Sequence, residues 1–269
     1  MTTSTEVRGS GLSAAPPPGT LRPSAPGRRW RSYAARPAVL AASFLLLMWY
    51  LATARLDSID RASLVPSTLE AEALQQLVLT AVSSAVVVAL AISLGVLVTR
   101  RRAPIVNGGV GALATLGQAS PPIGLMILAG LFIGVGTRSA IYALIAYSAL
   151  PVLRNTITGL NGLDQGVLEA ARGVGMRPWR VLTRIELPLA EPVIVAGIRT
   201  AIVLNVGTAT LATFINGGGL GTTITAGIAV DRAPVIIAGS VLVAIFALLL
   251  DWVVGIAGEV LRPRGLGVG

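Results

Sequence analysis

Six stretches of this chain carry no Asp, Glu, Lys or Arg: residues 37 to 54, 73 to 99, 103 to 137, 139 to 153, 200 to 230 and 233 to 250. A helix needs roughly 20 apolar residues to cross the hydrocarbon of a bilayer, where its backbone groups must pair within the segment. These runs predict an all-α, polytopic transmembrane helical bundle of about six spans, one N-terminal and five in a core. Charged residues make up only 12% of the chain, about half the share in a soluble domain, so a soluble fold is excluded.

Missing residue types exclude chemistry. There is no Cys and no His, which removes disulfides, thiol nucleophiles and the usual soft metal sites. All 21 basic residues are arginine, and a Walker A phosphate loop needs a lysine beside its glycines. The expectation is a non-catalytic chain with no cofactor and no metal; any ATP is bound elsewhere. The net charge of +9 is read as topology rather than as nucleic-acid binding, because arginines hold loops on the cytoplasmic side.

Residues 1–36 are rich in Pro, Ser, Gly and Arg and lack apolar periodicity, so they are expected to form a disordered cytoplasmic tail. Residues 37–54 offer an N-terminal transmembrane helix; Ala52, Thr53 and Ala54 resemble a signal-peptide cleavage site, but the run is longer than most signal cores. Residues 55 to 72 carry Asp57, Asp60, Glu70 and Glu72, as an outer connection does. A second span ends at Arg100, Arg101 and Arg102. Pro121 and Pro122 break the next run, predicting a kink and a helix over 123–135. The return run to Leu153 is short, so it must tilt little, recruit Arg138, or sit inside the bundle. Spans over 192–214 and 233–255 follow, separated by NGGGLG (216–221), read as a flexible outer turn. With both termini cytoplasmic in a multi-pass, bacterial-type plasma membrane protein, four arginines (Arg55, Arg61, Arg138 and Arg232) lie outside and the rest inside.

One charged segment interrupts this pattern. EAARGVGMRPWRVLTRIELP, Glu169 to Pro188, has too many charges to cross a membrane and too much order for a loose loop. Asp164 suits a helix N-cap, and Leu163 can pack on Leu168 as a hydrophobic staple. The helix then starts near Gln165, with Val167, Leu168, Ala171 and Val174 on an apolar face and Gly173 and Gly175 as the stop. Pro178 suits the first position of a second helix, and Pro188 marks its expected end. Such a pair could dock a partner, its small residues admitting a close backbone and Glu169 and the arginines gripping the rim; it could equally lie on lipid headgroups.

Glu169, Ala170, Ala171, Gly175, Ile185, Leu187 and Pro188 resemble, at full spacing, the EAA motif of ATP-binding-cassette importer permeases. LPVLRNTITGL (150–160) and AGIRTAIVLNVGTATLATFINGGGLG (196–221) resemble the osmoprotectant branch, whose members import glycine betaine, choline, carnitine or proline. The resemblance covers roughly residues 73–255 and implies a type I permease core with residues 163–188 as the coupling-helix loop. It implies three partners: a separate ATP-binding subunit, an extracytoplasmic substrate-binding protein, and a second permease copy or sibling. ATPase docking would fall to Glu169, Ala170, Ala171, Arg172, Gly175, Met176, Ile185, Leu187 and Pro188. The doubled proline of LGQASPPIGLMILAG departs from the family pattern.

Gln118, Ser120, Pro121, Asn205 and Thr208 are candidates to line a translocation pathway, and each could instead bond a neighbouring helix. Asp251, the one acid inside an expected span, is read as reaching water or Arg262 rather than as a proton relay. Two rival functions stay open, an ion-coupled secondary transporter and a non-transporting membrane anchor. The first normally places acids or histidines at mid-membrane, and these are missing.

Overall fold

In the computed structural model, residues 27–101, 109, 112, 115, 116 and 118–261 are described. The described residues form helices joined by turns: α1 Gly27–Thr53, α2 Ser58–Ser63, α3 Pro66–Arg101, α4 Pro122–Ile133, α5 Thr137–Asn161, α6 Gln165–Gly173, α7 Pro178–Val181, α8 Leu187–Ala209, α9 Gly221–Ala229 and α10 Ala233–Leu261. A π-turn, Leu182–Glu186, joins α7 to α8, and a 3-10 segment, Thr210–Ile215, prolongs α8. Five of these stretches are long and apolar enough to cross a membrane. The twelve residues of α4 rise only about 18 Å, so α4 cannot cross alone. Five full spans and this short helix account for the six expected.

Several boundaries differ from the sequence expectation for physical reasons. Helix α1 starts at Gly27 rather than at residue 37, because RRWRSYAAR contains no breaker; the rest of the expected tail, 1–26, lies outside the described residues. The run ending at Leu153 does not stop at Arg154. Helix α5 continues to Asn161, packed between α3 and α8, which settles how a short apolar run is accommodated: it is the bundle's interior helix. Pro188 does not end the cassette either. It sits in the first turn of α8, where a missing N–H costs least, and the helix runs on through the π-turn.

Close approach is what lets α5 and α8 pack. A Cβ on Gly197 would lie 2.6 Å from the Asn155 Cβ and 2.9 Å from the Pro151 carbonyl, so the two backbones touch where only glycine fits. Overpacking of this kind costs about 1–3 kcal/mol. Gly197→Val is therefore expected to lower the thermal unfolding midpoint in detergent and the yield of inserted protein; unchanged unfolding would refute the crossing.

At the end opposite the arginine-rich loop, the acidic residues do the tying. Asp57 caps α2, accepting from the Ile59 and Asp60 N–H groups at 3.0 Å each, and receives Arg232 at 2.5 Å. The hydrogen bond from the Asp60 N–H above all, with the Arg232 charge and the Ile59 N–H adding to it against an opposing loss of hydration, holds the Asp57 carboxyl below the usual carboxylate range. NGGGLG is not a loose turn. Gly219 donates to the Gln75 Oε1 at 3.0 Å, and Thr223 donates its hydroxyl to the buried Glu72 carboxylate at 2.5 Å. Gln76, fully buried, donates to the Val206 carbonyl at 2.8 Å. Glu72, Gln75 and Gln76, on one face of α3, thus hold Thr223, Gly219 and Val206 around the turn, in which Asn216, Gly218 and Gly219 take left-handed φ values.

Candidate functional site

The segment Leu163 to Pro188 folds into a compact helix pair at the arginine-rich end. Asp164 Oδ1 accepts from the Gly166 N–H at 2.8 Å, so α6 starts at the expected residue. Leu163 packs against the cluster of Leu168, Ala171 and Val181, which is the staple. The C-terminal stop is a Schellman motif: Met176 N–H reaches the Ala171 carbonyl at 3.2 Å and Gly175 N–H the Arg172 carbonyl at 2.9 Å. Gly175 has φ of 79°, and Met176 packs back onto the Ala171 cluster. The chain then turns into α7 at Pro178, its first position.

This geometry divides the motif in two. Ala171 is buried, and Met176, Ile185, Leu187 and Pro188 are half-buried; these residues hold the pair together and onto the bundle. Glu169, Ala170, Arg172 and Gly175 are exposed and form the outward face. Beside them Val174 is 79% and Trp179 71% exposed, so the face presents large apolar side chains. Sequence reasoning passed over Trp179 as a surface residue. Its signal was an aromatic among arginines beside a helix start, a common anchor at interfaces.

The pair is wired to the spans. Through the π-turn it continues into α8 without a loop. Arg100, at the end of α3, donates to Glu186 Oε2 at 2.8 Å. The sequence offered Arg100 only as part of the arginine triplet and did not pair it with Glu186, because nothing local marks a contact between residues 86 positions apart.

The pathway candidates are placed as follows. Gln118 and Ser120 are half-buried ahead of α4, Pro121 is exposed at its N-cap, and the Ser120 hydroxyl donates to the Leu116 carbonyl at 2.8 Å. Asn205 is fully buried and donates to the Ser83 and Ser84 hydroxyls of α3 at 3.1 and 2.9 Å. Within one chain it bonds neighbouring helices, the alternative role noted for it. Thr208, one turn on, is buried as well. Arg262, one expected partner of Asp251, lies outside the described residues. Arg199 of α8 grips it with two hydrogen bonds of 2.7 Å, and Arg36 of α1 lies 3.5 Å away.

Residues 72–264 match the family of binding-protein-dependent transport system inner membrane components. The choline transport system permease protein OpuBB of Bacillus subtilis is 41% identical over 179 residues, covering 66% of this chain and 82% of that protein. The osmoprotectant import permease protein OsmW of Salmonella typhimurium is 38% identical over 196 residues, 71% of this chain and 91% of its own length. Among solved structures, the inward-facing methionine ABC transporter MetNI aligns with a TM-score of 0.60 at 21% identity, over 73% of this chain and 95% of that one. That likeness is one of fold. The helix pair, its direct continuation into a span and the match over most of the chain lead to one assignment: this protein belongs to the family of inner membrane components of binding-protein-dependent transport systems.

Proposed function

We propose that this chain is the membrane-spanning permease subunit of an ATP-driven importer for a compatible solute such as glycine betaine, choline, carnitine or proline. The observation that carries the coupling role is the outward face of Glu169, Ala170, Arg172 and Gly175, flanked by exposed Val174 and Trp179, on a stapled helix pair continuous with α8. A separate ATPase subunit grips that face, and its closure on ATP moves α8 and switches access from one side to the other, a rigid rocking about a fixed site. The names of the similar proteins, with choline, carnitine and osmoprotectants among them, support the solute class.

The arginine distribution supports a plasma-membrane protein with both termini and the helix pair in the cytoplasm. A second copy or a sibling permease completes the pathway, to which Gln118, Ser120, Pro121, Asn205 and Thr208 contribute, and an extracytoplasmic binding protein selects the solute. Recognition is delegated because aromatic cages hold quaternary ammonium groups, and aromatics are only 4% of this chain.

Uptake of labelled betaine and choline into vesicles, with the ATPase subunit and binding protein added, should accumulate solute only when ATP is supplied. Accumulation that follows an ion gradient without ATP would overturn this reading in favour of a secondary carrier, and none under any condition would favour an anchor.

A further inference from the structure

We infer that Arg100 and Glu186 form a tie that sets the angle at which motion of the helix pair enters α8, with the π-turn Leu182–Glu186 as the joint. The inference rests on the coupling role proposed above and goes beyond it by assigning positioning residues outside the motif.

The backbone is weakened at this point. The Leu187 N–H reaches back five residues to the Leu182 carbonyl, and the next residue, Pro188, has no N–H to give. Two consecutive positions therefore lack the ordinary bond to the residue four before, where a helix bends most readily. A load passing from α7 to α8 needs a second constraint here, or the joint absorbs it.

Glu186 supplies that constraint. It is the last residue of the joint, its side chain is 9% exposed, and its Oε2 accepts from Arg100 at 2.8 Å. Arg100 closes the far end of α3, so the joint is anchored to a span that is not its own continuation. The pair joins two ionised groups in a partly buried place, where a charge-assisted bond is strong and its loss is felt.

The space for movement lies beside the tie. A cleft of about 550 Å3 opens between Ile92, Val96 and Arg100 on one wall and Pro178, Trp179 and Leu182 on the other. With Glu186 held, α7 can swing into this cleft only by pivoting about the tie, and the swing becomes a rotation of α8. With the tie cut, α7 moves while α8 lags.

The test uses the whole complex, with ATPase and binding protein, in proteoliposomes. Glu186→Gln and Arg100→Gln should each keep the ATPase bound and hydrolysing, while solute moved per ATP falls about fivefold or more, within the usual size of a coupled pair. The swap of Arg100→Glu with Glu186→Arg should regain most of that ratio. An unchanged ratio in both single variants, or a swap as defective as either, overturns the tie. Spin labels at Leu97 and Trp179 of the detergent-solubilised chain read the same geometry without transport. A narrow distance in the parent that broadens in Arg100→Gln supports the tie, and an unaltered distribution refutes it even if the ATP-driven reading were to fail.

Discussion

Gly175→Trp should leave the protein inserted and folded but remove ATP-driven uptake, and Gly175→Ala should retain most of it. The two variants share one cost. Gly175 sits at φ of 79°, and a side chain there adds about 1–2 kcal/mol of backbone strain. They differ in bulk, and among the described residues none but its own chain neighbours lies within 4 Å of the position a Cβ would take. A side chain at Gly175 thus starts into open space on the outward face, so the obstruction expected from an indole is to a bound partner. The neighbouring face leaves Val174 and Trp179 exposed, with Glu169 exposed as well. Loss of a central docking contact is worth about 2 kcal/mol or more, roughly a 30-fold fall in affinity for the ATPase. Pull-down of the ATPase by each variant, with uptake measured in parallel, checks it. Equal transport by the tryptophan and alanine variants would remove the docking face from the account.

The helix pair was legible in the sequence because its signals are local. Asp164, the Leu163 and Leu168 staple and the glycine stop each act within one turn, and each is found where the spacing puts it. The spans were legible because uncharged runs of sufficient length have few other homes. What local pattern misjudged was continuity. Pro188 reads as a terminus until the preceding turn is seen to widen, and Arg154 reads as the end of a span although α5 runs on to Asn161. NGGGLG reads as slack because glycine signals freedom, yet here it signals close contact with Gln75 and Gln76, well over a hundred residues away in sequence. The same limit hid Arg100 and Glu186. An ion pair between distant helices leaves no period and no spacing, only two charges in places where apolar residues would pack more cheaply.

Asp251 shows what such a pair should be worth. Asp251→Asn deprives Arg199 of a bidentate acceptor at 2.7 Å and leaves its guanidinium, with that of Arg36, against an uncharged amide within the bundle. Removing one partner of a fully buried pair costs about 3–5 kcal/mol. Asp251 and Arg199 keep 21% and 31% of their side chains exposed, so the loss here should be smaller, about 2–3 kcal/mol. That is enough to lower the unfolding midpoint in detergent by several degrees. Pairing Asp251→Asn with Arg199→Gln leaves two neutral amides of nearly the original shape, and most of the loss should return. Arg36→Gln alone should matter little to stability, since Arg36 is 40% exposed and 3.5 Å from the carboxylate, the range of a weak surface pair. Transport by the neutral double variant then separates two roles for the same carboxylate. If uptake survives with stability, Asp251 is a fastening between α8, α10 and α1; if stability returns and uptake does not, the carboxylate itself takes part in moving the solute or a proton.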